Sequence, residues 1–456
     1  MNYDYTKLIR MGIPVRNLAE GFLHDYFGDE EITYPINPFK MLRDLGVFYI
    51  LKPFNKCEGI YIPAENNDDV SLVAINAKRP ITRQRFTAAH EICHHLKDRD
   101  SHFVCYARSN TDIEKYADAF AAELLMPMNE LAKQIHKYSK DGYVSNEDIL
   151  RIAHYFGVSF ESCLFRIAYK FGAIKGDTSS TKLKSISKKY QPDIKRKELG
   201  LRELALYDQL VDASIDAFKF VPTEYARFKF MMEYVFHDSR LEGIDIELEQ
   251  VAEIVADLSL YKQESCYCKE ENKNIIEVAG LSFAYDYVFN FNEDISVYEA
   301  KKINELLYIT SPFPEFGGRY RESNTLVLGA KFETVDYRDI PSRMYSLSSE
   351  VDELLKNESA YTLSEYIKRA IHIHYKMTVI HAFRDGNGRT SRAFLNLLLL
   401  KKGLPPVFFD NQSKDIYKDA LKEVDMNGDF YNLYEVFYKA IFATHIKLSD
   451  SDLIEN

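Results

Sequence analysis

The chain of 456 residues is long enough for two or three domains, each with its own hydrophobic core. Its hydrophobic fraction of 46% and charged fraction of 28% are those of a soluble globular protein, and its net charge of -11 argues against a general nucleic-acid or anionic-membrane surface. The six cysteines are scattered, which indicates free thiols in a reducing compartment. Because the start of the chain lacks a signal pattern and no apolar run reaches membrane-spanning length, we expect a cytoplasmic protein.

The first predicted elements are two helices within residues 15–46, the second running from Pro38 to Leu45 and ending at Gly46. Three short β-rich runs follow, and the turns between them carry Pro, Asn, Asp and Lys, which is typical of a small antiparallel sheet. These runs are residues 47–51, 59–62 and 71–75. An α+β domain is therefore predicted for the first part of the chain.

Residues 85–95, Arg-Phe-Thr-Ala-Ala-His-Glu-Ile-Cys-His-His, have the spacing of a metal-binding helix. His90 and His94 are four residues apart, so on a helix both imidazoles project from one face toward a single ion. Glu91 lies beside them, where it can accept a proton from a metal-bound water. An exposed polar helix turn can produce the same pattern by chance, so a third ligand is needed.

Glu114 is the predicted third ligand. It heads the apolar stripe of a helix that Asp112 can cap and that stops before Pro127. Asp118, one turn later, can accept the second N–H of a ligating imidazole and fix its tautomer. As an alternative, Glu114 is a first-turn acid that stabilises the helix dipole. Glu123 is a rival ligand, which the helical phase places closer to solvent.

These motifs resemble the ImmA/IrrE group of gluzincin-type metallopeptidases, over residues 10–172. The resemblance implies a zincin-like α+β fold, in which His90, His94 and Glu114 bind Zn²⁺ and Glu91 is the general base of peptide hydrolysis. It also implies a protein substrate, since members of the group cleave or bind repressor-like helix-turn-helix proteins.

Residues 144–171 have a helix–turn–helix-like pattern with Gly157 at the turn. The second helix offers few basic residues, so packing onto the peptidase region is favoured over DNA binding. Residues 176–198 are rich in Ser, Thr and Lys and lack apolar periodicity, which predicts a linker. The expected domains are therefore 1–175 and 199–456, joined by this linker.

The second domain is predicted to be helical almost throughout, with one break at residues 325–332, whose alternation around Gly329 suits a hairpin flap. A purely structural hairpin is the alternative for that segment. The predicted helices of this part are 224–236, 275–291, 296–309, 363–379 and 393–400, and another begins at Ile416.

The stretch from His381 to Arg392, His-Ala-Phe-Arg-Asp-Gly-Asn-Gly-Arg-Thr-Ser-Arg, gathers the residues of a phosphate site at a helix entry. Its two glycines let backbone N–H groups turn toward an anion at the positive end of the helix dipole. Arg389 and Arg392 share a helix face and can contact successive phosphates. Asp385 suits a phosphate-bound Mg²⁺, and His381 can take a proton near neutral pH. This set predicts phosphoryl or nucleotidyl transfer.

The same stretch matches the HxFx(D/E)GNGRxxR signature at each position, and therefore resembles the Fic family. The resemblance implies an all-α Fic fold with a β-hairpin flap, and transfer of AMP from ATP to a Ser, Thr or Tyr hydroxyl of a target protein. It would make His381 the base for that hydroxyl and Asp385 the Mg²⁺ ligand, and the flap would hold the target segment. The residues expected to bind ATP are Phe383, Gly386, Asn387, Gly388, Arg389, Arg392 and, with a core role as the alternative, Tyr417.

A self-inhibiting element is predicted within residues 224–243. Self-restrained members of the Fic family carry (S/T)xxxE(G/N), whose glutamate pairs with the last arginine of the signature. Glu242 and Gly243 match the end of this motif, whereas Asp238 stands where Ser or Thr is expected. We therefore expect Glu242 to pair with Arg392. A helix C-cap at Gly243 with an exposed glutamate is the alternative.

Together these expectations describe a multidomain, bifunctional protein, in which a Zn²⁺ peptidase is joined to an autoinhibited adenylyltransferase that uses Mg²⁺ and ATP. Proteolysis of a partner or of the linker is one way to relieve the inhibition, in a stress or toxin–antitoxin response. The alternatives are removal of AMP from a modified target, with Glu242 orienting a water, and a catalytically idle module that only binds a partner. The expected partners are proteins, without membrane or nucleic acid, and a homodimer is left open.

Overall fold

The structure, a computed structural model, describes residues 5, 9, 11–66, 69–98, 103–106, 111–213, 223–326 and 333–448, and of 103–106 the backbone alone. These residues fall into two compact units, one up to residue 217 and one from residue 218 onward. Both units are mostly helical. Within the described ranges, no helix combines the length and the apolar character needed to cross a bilayer.

The first unit contains a four-stranded sheet and the helices that pack around it. Its elements are α1 Val15–Phe27, α2 Pro38–Asp44, β1 Phe48–Lys52, β2 Cys57–Ile62, β3 Leu72–Asn76, α3 Ile81–Lys97, β4 Phe103–Tyr106, α4 Asp112–Leu125, α5 Met128–Tyr138, α6 Asn146–Phe156, α7 Phe160–Phe171, α8 Ser180–Tyr190, α9 Pro192–Glu198 and α10 Leu204–Ala213.

The sheet is mixed, with the strand order β1-β3-β2-β4, and the prediction of an antiparallel sheet is wrong in this respect. β2 pairs antiparallel with β3 and with β4, but β1 pairs parallel with β3, with Phe48 opposite Leu72. Turn residues indicate where a strand ends, whereas the partner of β1 depends on packing. Tyr49 and Leu51 of β1 are buried in the core of the unit.

The segment 176–198 differs from the predicted linker, because it contains the helices α8 and α9. Leu183 on α8 is fully buried, and the ring of Tyr190 at the end of α8 stacks on Phe160, so two side chains anchor this helix. α10 also belongs to the first unit, since the hydroxyl of Tyr49 donates to the carbonyl of Leu210 at 3.1 Å. The first compact unit therefore includes α8, α9 and α10, and the domain boundary expected at residue 175 stays a prediction.

α6 and α7 form the helix–turn–helix-like pattern, with Gly157 between them in the left-handed conformation at φ 63°. Arg166 on α7 is buried, and it pairs with Glu123 at 2.6 Å and donates to the carbonyl of Met126 at 3.0 Å. α7 is therefore packed against the end of α4. Glu123, which was expected nearer to solvent as a rival metal ligand, is buried in this ion pair.

The described part of the second unit consists of α-helices with short 3-10 turns and one isolated bridge between Tyr320 and Phe383. Residues 327–332 of the predicted hairpin flap lie outside the described residues. The helix predicted at 393–400 begins earlier, at Asn387. The helices are α11 Glu224–Leu241, α12 Leu248–Tyr261, α13 Lys273–Asn290, α14 Glu299–Tyr308, α15 Ile340–Lys356, α16 Leu363–Ile380, α17 Asn387–Lys401, α18 Lys414–Asn427 and α19 Tyr431–Leu448.

Candidate functional site

In the first unit, α3 and α4 bring together His90, His94 and Glu114, all of them buried. α4 is capped by Thr111, and not by Asp112 as predicted, because the Thr111 hydroxyl accepts from the backbone N–H of Glu114 at 3.3 Å. The Nε2 atoms of the two imidazoles are 3.1 Å apart, and the Glu114 carboxylate lies 3.3 Å from one and 3.5 Å from the other. One ligand atom from each residue lies within 4.8 Å of the other two, as donors around a single ion would.

The outer nitrogen of each imidazole is bonded to a carboxylate. His90 Nδ1 donates to Asp118 at 2.9 Å, the partner that the sequence predicted, and His94 Nδ1 donates to Asp98 at 3.0 Å. The sequence analysis missed Asp98, although its position four residues after His94 is a signal that could have identified it. With Nδ1 protonated, each Nε2 keeps its lone pair for a metal ion.

The charges of this cluster suit a cation. Burial lowers the pKa of His90, but hydrogen bonds with Asp118 and Glu114 outweigh it and raise the pKa to about 9. Burial likewise opposes the charge of His94, whose pKa is raised by Asp98 and Glu114. For Glu114, burial favours the neutral form, yet the two imidazoles lower its pKa to about 2. Negative charge is thus concentrated around the two Nε2 atoms, and these residues fit a divalent metal ion with nitrogen and oxygen ligands.

Glu91, the predicted general base, is fully buried on α3 and faces β2. A β-carbon built on Gly59 of β2 would lie 2.3 Å from Glu91 Oε1, so the strand contacts the carboxylate with no room for a side chain. A glycine inside a strand indicates such a close approach, and this signal at Gly59 could have been used.

In the second unit, the stretch 381–392 forms the end of α16, a loop and the start of α17. His381 ends α16 in the left-handed conformation at φ 50°, which is strained for a residue with a side chain. The Asn387 side chain closes the loop, since it accepts from the N–H of Phe383 and donates to the carbonyl of Phe383, each at 2.8 Å. Both residues were predicted to bind ATP. Here they shape the loop, and contact with a nucleotide stays a prediction.

Arg321 holds the backbone of the catalytic candidate in place. Its Nε donates to the carbonyl of His381 at 2.8 Å, its Nη1 donates to the carbonyl of Ser323 at 2.7 Å, and its Nη2 donates to the carbonyl of Val335. Ser323 and Val335 stand before and after the segment predicted to be a flap, so one side chain connects the residues on both sides of that segment to His381. The sequence analysis missed this role, because it depends on contacts across 60 residues.

The side chain of His381 is held in its neutral form. Burial lowers its pKa, a hydrogen bond to the backbone of Thr378 opposes that effect, and the charge of Arg321 adds to it. A neutral imidazole at neutral pH can accept a proton from a hydroxyl group.

Arg392 on α17 lies between two carboxylates of α11. Its Nη2 donates to Glu242 Oε1 at 2.5 Å, and its Nε donates to Asp238. Arg392 and Asp238 are buried, whereas the side chain of Glu242 is 34% exposed. The structure thus places Glu242 on the arginine that the sequence assigned to it, and it adds Asp238 as a second partner.

The Glu242 carboxylate lies at the N-terminus of α17. A β-carbon built on Gly388 would be 3.0 Å from Glu242 Oε1 and 2.9 Å from Arg392 Nη1. Burial disfavours its charge, but the guanidinium groups of Arg392 and Arg389 outweigh burial and lower the pKa of Glu242. An ionised carboxylate therefore sits at the positive end of α17, where a phosphate is expected.

The end of α11 shows why Glu242 is held there. The N–H of Gly243 donates to the carbonyl of Arg240 at 3.1 Å, and the N–H of Ile244 donates to the carbonyl of Ser239 at 3.0 Å. With Gly243 at φ 85°, these bonds form a Schellman cap. The helix cap that stood as the alternative is present, and it places Glu242 against Arg392.

The second arginine of the loop also has an acidic partner. Arg389 Nη1 donates to Glu277 of α13 at 2.7 Å, a contact that the sequence analysis missed. The side chain of Asp385 is 72% exposed, and its Oδ1 accepts from the N–H of Gly386 at 2.7 Å. An exposed carboxylate beside a phosphate site fits Mg²⁺ that arrives with a nucleotide.

Tyr417 on α18 lies in the core, which was the alternative to lining an adenine pocket. It is buried, its hydroxyl bonds His374 Nε2 at 2.9 Å, and its ring stacks on Phe409 at a centroid distance of 4.1 Å.

Comparison with known proteins gives two family matches on this chain. Residues 44–168 match the IrrE N-terminal-like domain, and residues 294–399 match the Fic/DOC family. Glu242 and Tyr417 lie outside both matches.

The similar proteins are named as Fic proteins, the family of the second match. A protein adenylyltransferase Fic from Aedes aegypti is 30% identical over 202 residues, which cover 43% of this chain and 38% of that protein. The protein adenylyltransferase fic-1 from Caenorhabditis elegans is 28% identical over 197 residues, with 43% and 37% covered. The chain thus spans less than two fifths of the length of these relatives. Among solved structures, Fic-1 from C. elegans aligns with 80% of this chain and 97% of its own, at a TM-score of 0.43 and 17% identity. Both resemblances inferred from the motifs are confirmed, and the chain carries an IrrE N-terminal-like region followed by a Fic/DOC region.

Proposed function

We propose that the chain is a bifunctional cytoplasmic enzyme, in which the second unit transfers AMP from ATP to a Ser, Thr or Tyr hydroxyl of a protein. The observation that carries this proposal is the Glu242 carboxylate, which lies on Arg392 at 2.5 Å and beside Gly388 at the start of α17. A helix N-terminus that holds a side-chain carboxylate is also suited to hold a phosphate. Relatives that are named protein adenylyltransferase support the same chemistry.

In this reaction the hydroxyl oxygen bonds to the α-phosphorus of ATP, and the bond from that phosphorus to the pyrophosphate breaks. His381 accepts the proton of the hydroxyl, since its lowered pKa keeps the imidazole neutral. Arg389, Arg392 and the backbone N–H groups at the start of α17 stabilise the charge on the phosphates. Asp385 would hold Mg²⁺, which supplies further neutralisation of that charge when it is bound.

Glu242 restrains the reaction by competing with the nucleotide for Arg392. While the carboxylate occupies the arginine, a phosphate cannot make the same contact, so ATP binds without its full set of interactions. The side chain of Glu242 is one-third exposed, so its carboxylate borders solvent into which it could move.

Labelled ATP tests the transferase. We expect the Glu242→Gly protein to accumulate at least about ten-fold more protein-bound label than the wild type, because Arg392 becomes available. The matched control is Glu249→Gly, the same change at an exposed glutamate of α12, which should leave labelling unchanged. Adding His381→Ala to Glu242→Gly should abolish the label. A Glu242→Gly protein without label, or label that persists without His381, would contradict the proposal.

We infer that the first unit is a zinc-dependent endopeptidase that acts on a regulatory protein of the repressor type. His90, His94 and Glu114 would hold Zn²⁺, which supplies polarisation of the scissile carbonyl and of a water when it is bound. Glu91 accepts the proton of that water. The convergence of the three donor groups within 4.8 Å supports this assignment.

Zinc content and cleavage test the peptidase separately. We expect purified protein to contain zinc by elemental analysis, and His90→Ala to lose it. Glu91→Gln should keep the zinc but lose cleavage of a helix-turn-helix repressor substrate. Equal cleavage by Glu91→Gln would rule out its role as base, and a zinc-loaded protein that cleaves no such substrate would favour a binding module.

Removal of AMP from a modified protein is a second candidate for the Fic-like site. The ionised carboxylate of Glu242 supports it, because this group can orient an attacking water. In that case Glu242→Gln should release AMP from a pre-labelled target more slowly than the wild type, and release at an unchanged rate would exclude the candidate.

A further inference from the structure

Asp238 is a second, buried carboxylate on the arginine of the phosphate site. We propose that Asp238 limits the contribution of the γ-phosphate to nucleotide binding, and continues to do so after Glu242 has left Arg392. The proposal rests on the proposed function, in which Arg392 contacts a phosphate of ATP, and it takes that phosphate to be the γ-phosphate.

The two carboxylates bind different edges of one guanidinium group. Asp238 and Glu242 are four residues apart on α11, so they share a face of the helix. Asp238 accepts from Nε of Arg392 and Glu242 accepts from Nη2, so neither has to move for the other to bind.

The two carboxylates differ in their freedom to leave. Glu242 caps the end of α11, and its side chain is 34% exposed, whereas the Asp238 side chain is 3% exposed inside the helix. Tyr234, one turn earlier, is fully buried, so this face of α11 is packed in the core. Asp238 therefore cannot rotate into water, and breaking its pair would leave a buried charge without compensation. Glu242 is a removable partner of Arg392, and Asp238 is a fixed one.

A carboxylate that stays on Arg392 changes the net charge of the site that the γ-phosphate enters. Burial raises the pKa of Asp238, and the charge of Arg392 opposes that shift. While Asp238 is ionised and Glu242 is away, the pair carries no net charge, so it attracts an incoming phosphate more weakly than an isolated arginine would. The Oδ2 atom of Asp238 accepts no hydrogen bond from the described residues. The Ser or Thr that the family motif has at this position would bring no charge. The γ-phosphate should therefore add little affinity in this chain, and ATP should bind little better than ADP.

Equilibrium binding of ATP and of ADP, measured by calorimetry in a His381→Ala background without turnover, tests the proposal. With Glu242→Gly alone, we expect the two dissociation constants to agree within about three-fold. Adding Asp238→Asn, which keeps the shape and removes the charge, should strengthen ATP binding at least about ten-fold more than ADP binding. Asp238→Ser, the residue type of the family motif, should act in the same direction, and it serves where Asp238→Asn fails to fold.

The matched control is Asp245→Asn, the same change at a side chain that is 92% exposed, which should leave the ratio of ATP to ADP affinity unchanged. The proposal is overturned if Glu242→Gly alone already prefers ATP more than about three-fold, or if neither Asp238 variant changes the ratio. If the ratio changes as expected but Glu242→Gly with an intact His381 transfers no label, the proposed transferase fails and the role of Asp238 stands. If no variant binds either nucleotide, both are overturned.

Discussion

The contact between Gly59 and Glu91 predicts that one added methyl group will destabilise the first unit. A β-carbon at Gly59 would lie 2.3 Å from Glu91 Oε1 and 2.6 Å from the methyl group of Thr87, both well inside van der Waals contact. Glu91 and Thr87 are buried on α3, so neither side chain can swing into solvent. In Gly59→Ala, β2 and α3 must move apart or Glu91 must shift. Overpacking of this kind costs about 1–3 kcal/mol of unfolding free energy.

Thermal and urea unfolding of the full chain measure this cost. We expect the transition of the first unit to fall by about 2–4 °C for each kcal/mol lost. Gly21→Ala is the matched control, because Gly21 lies within α1 and a β-carbon there would meet nothing within 4 Å. Alanine is favoured over glycine in a helix by about 0.5–1 kcal/mol, so this control should raise the same transition.

We therefore expect Gly59→Ala to lower the unfolding temperature of the first unit and Gly21→Ala to raise it. An unfolding free energy of Gly59→Ala within about 0.5 kcal/mol of the wild type would refute the close approach of β2 to the Glu91 carboxylate. A fall caused by Gly21→Ala would instead show that the helix does not tolerate a side chain at that position.

Four further predictions concern the two sites. Asp98→Asn and Asp118→Asn should each lower the affinity for zinc about 10–100-fold, measured by competition with a chelator. An affinity equal to that of the wild type would show that these carboxylates do not orient the imidazoles of His94 and His90 for metal binding. Zinc binding near pH 7 should release protons, because the pKa of His90 is raised to about 9 in the metal-free protein, and calorimetry in buffers of different ionisation enthalpy counts them. Because its pKa is raised on folding, His90 stabilises the metal-free fold below its unfolded pKa of about 6.5, and this stabilisation is lost as the pH rises through about 9. Urea unfolding in the presence of a chelator should therefore give a lower unfolding free energy at the higher pH. An unfolding free energy that rises with pH would contradict the assignment. Arg321→Lys keeps the charge but loses the hydrogen bonds to three backbone carbonyls. The rate of label transfer should therefore fall about 10–100-fold while the affinity for ATP stays unchanged. An unchanged rate would exclude a positioning role for Arg321 on His381.

Most residues that were placed correctly from the sequence occupy positions that the periodicity of a helix determines. His90 and His94 converge because four residues on a helix return to the same face, and Asp118 follows from the phase of the next helix. The contact of Glu242 with Arg392 spans 150 residues and was found only because the family motif relates the two positions.

Contacts that depend on packing between distant helices were missed. Glu277 meets Arg389 across 112 residues, and nothing near Glu277 in the chain indicates a partner. The parallel pairing of β1 with β3 was missed for the same reason, since turn signals do not select strand neighbours. The helices at 176–198 were missed because Ser, Thr and Lys dominate this stretch, and its few apolar residues, among them Leu183 and Tyr190, give a weak helical pattern.

The folded state of residues 180–198 affects how one activity could switch on the other. A protease cuts a backbone that has first opened into its active-site cleft, so bonds inside α8 become scissile only when that helix unwinds. Unwinding would also pull Leu183 out of the core, which makes the opening rare. The rate of cleavage within α8 would then report the fraction of molecules in which this helix is unfolded. Any ligand that binds and stabilises the folded first unit would slow that cleavage.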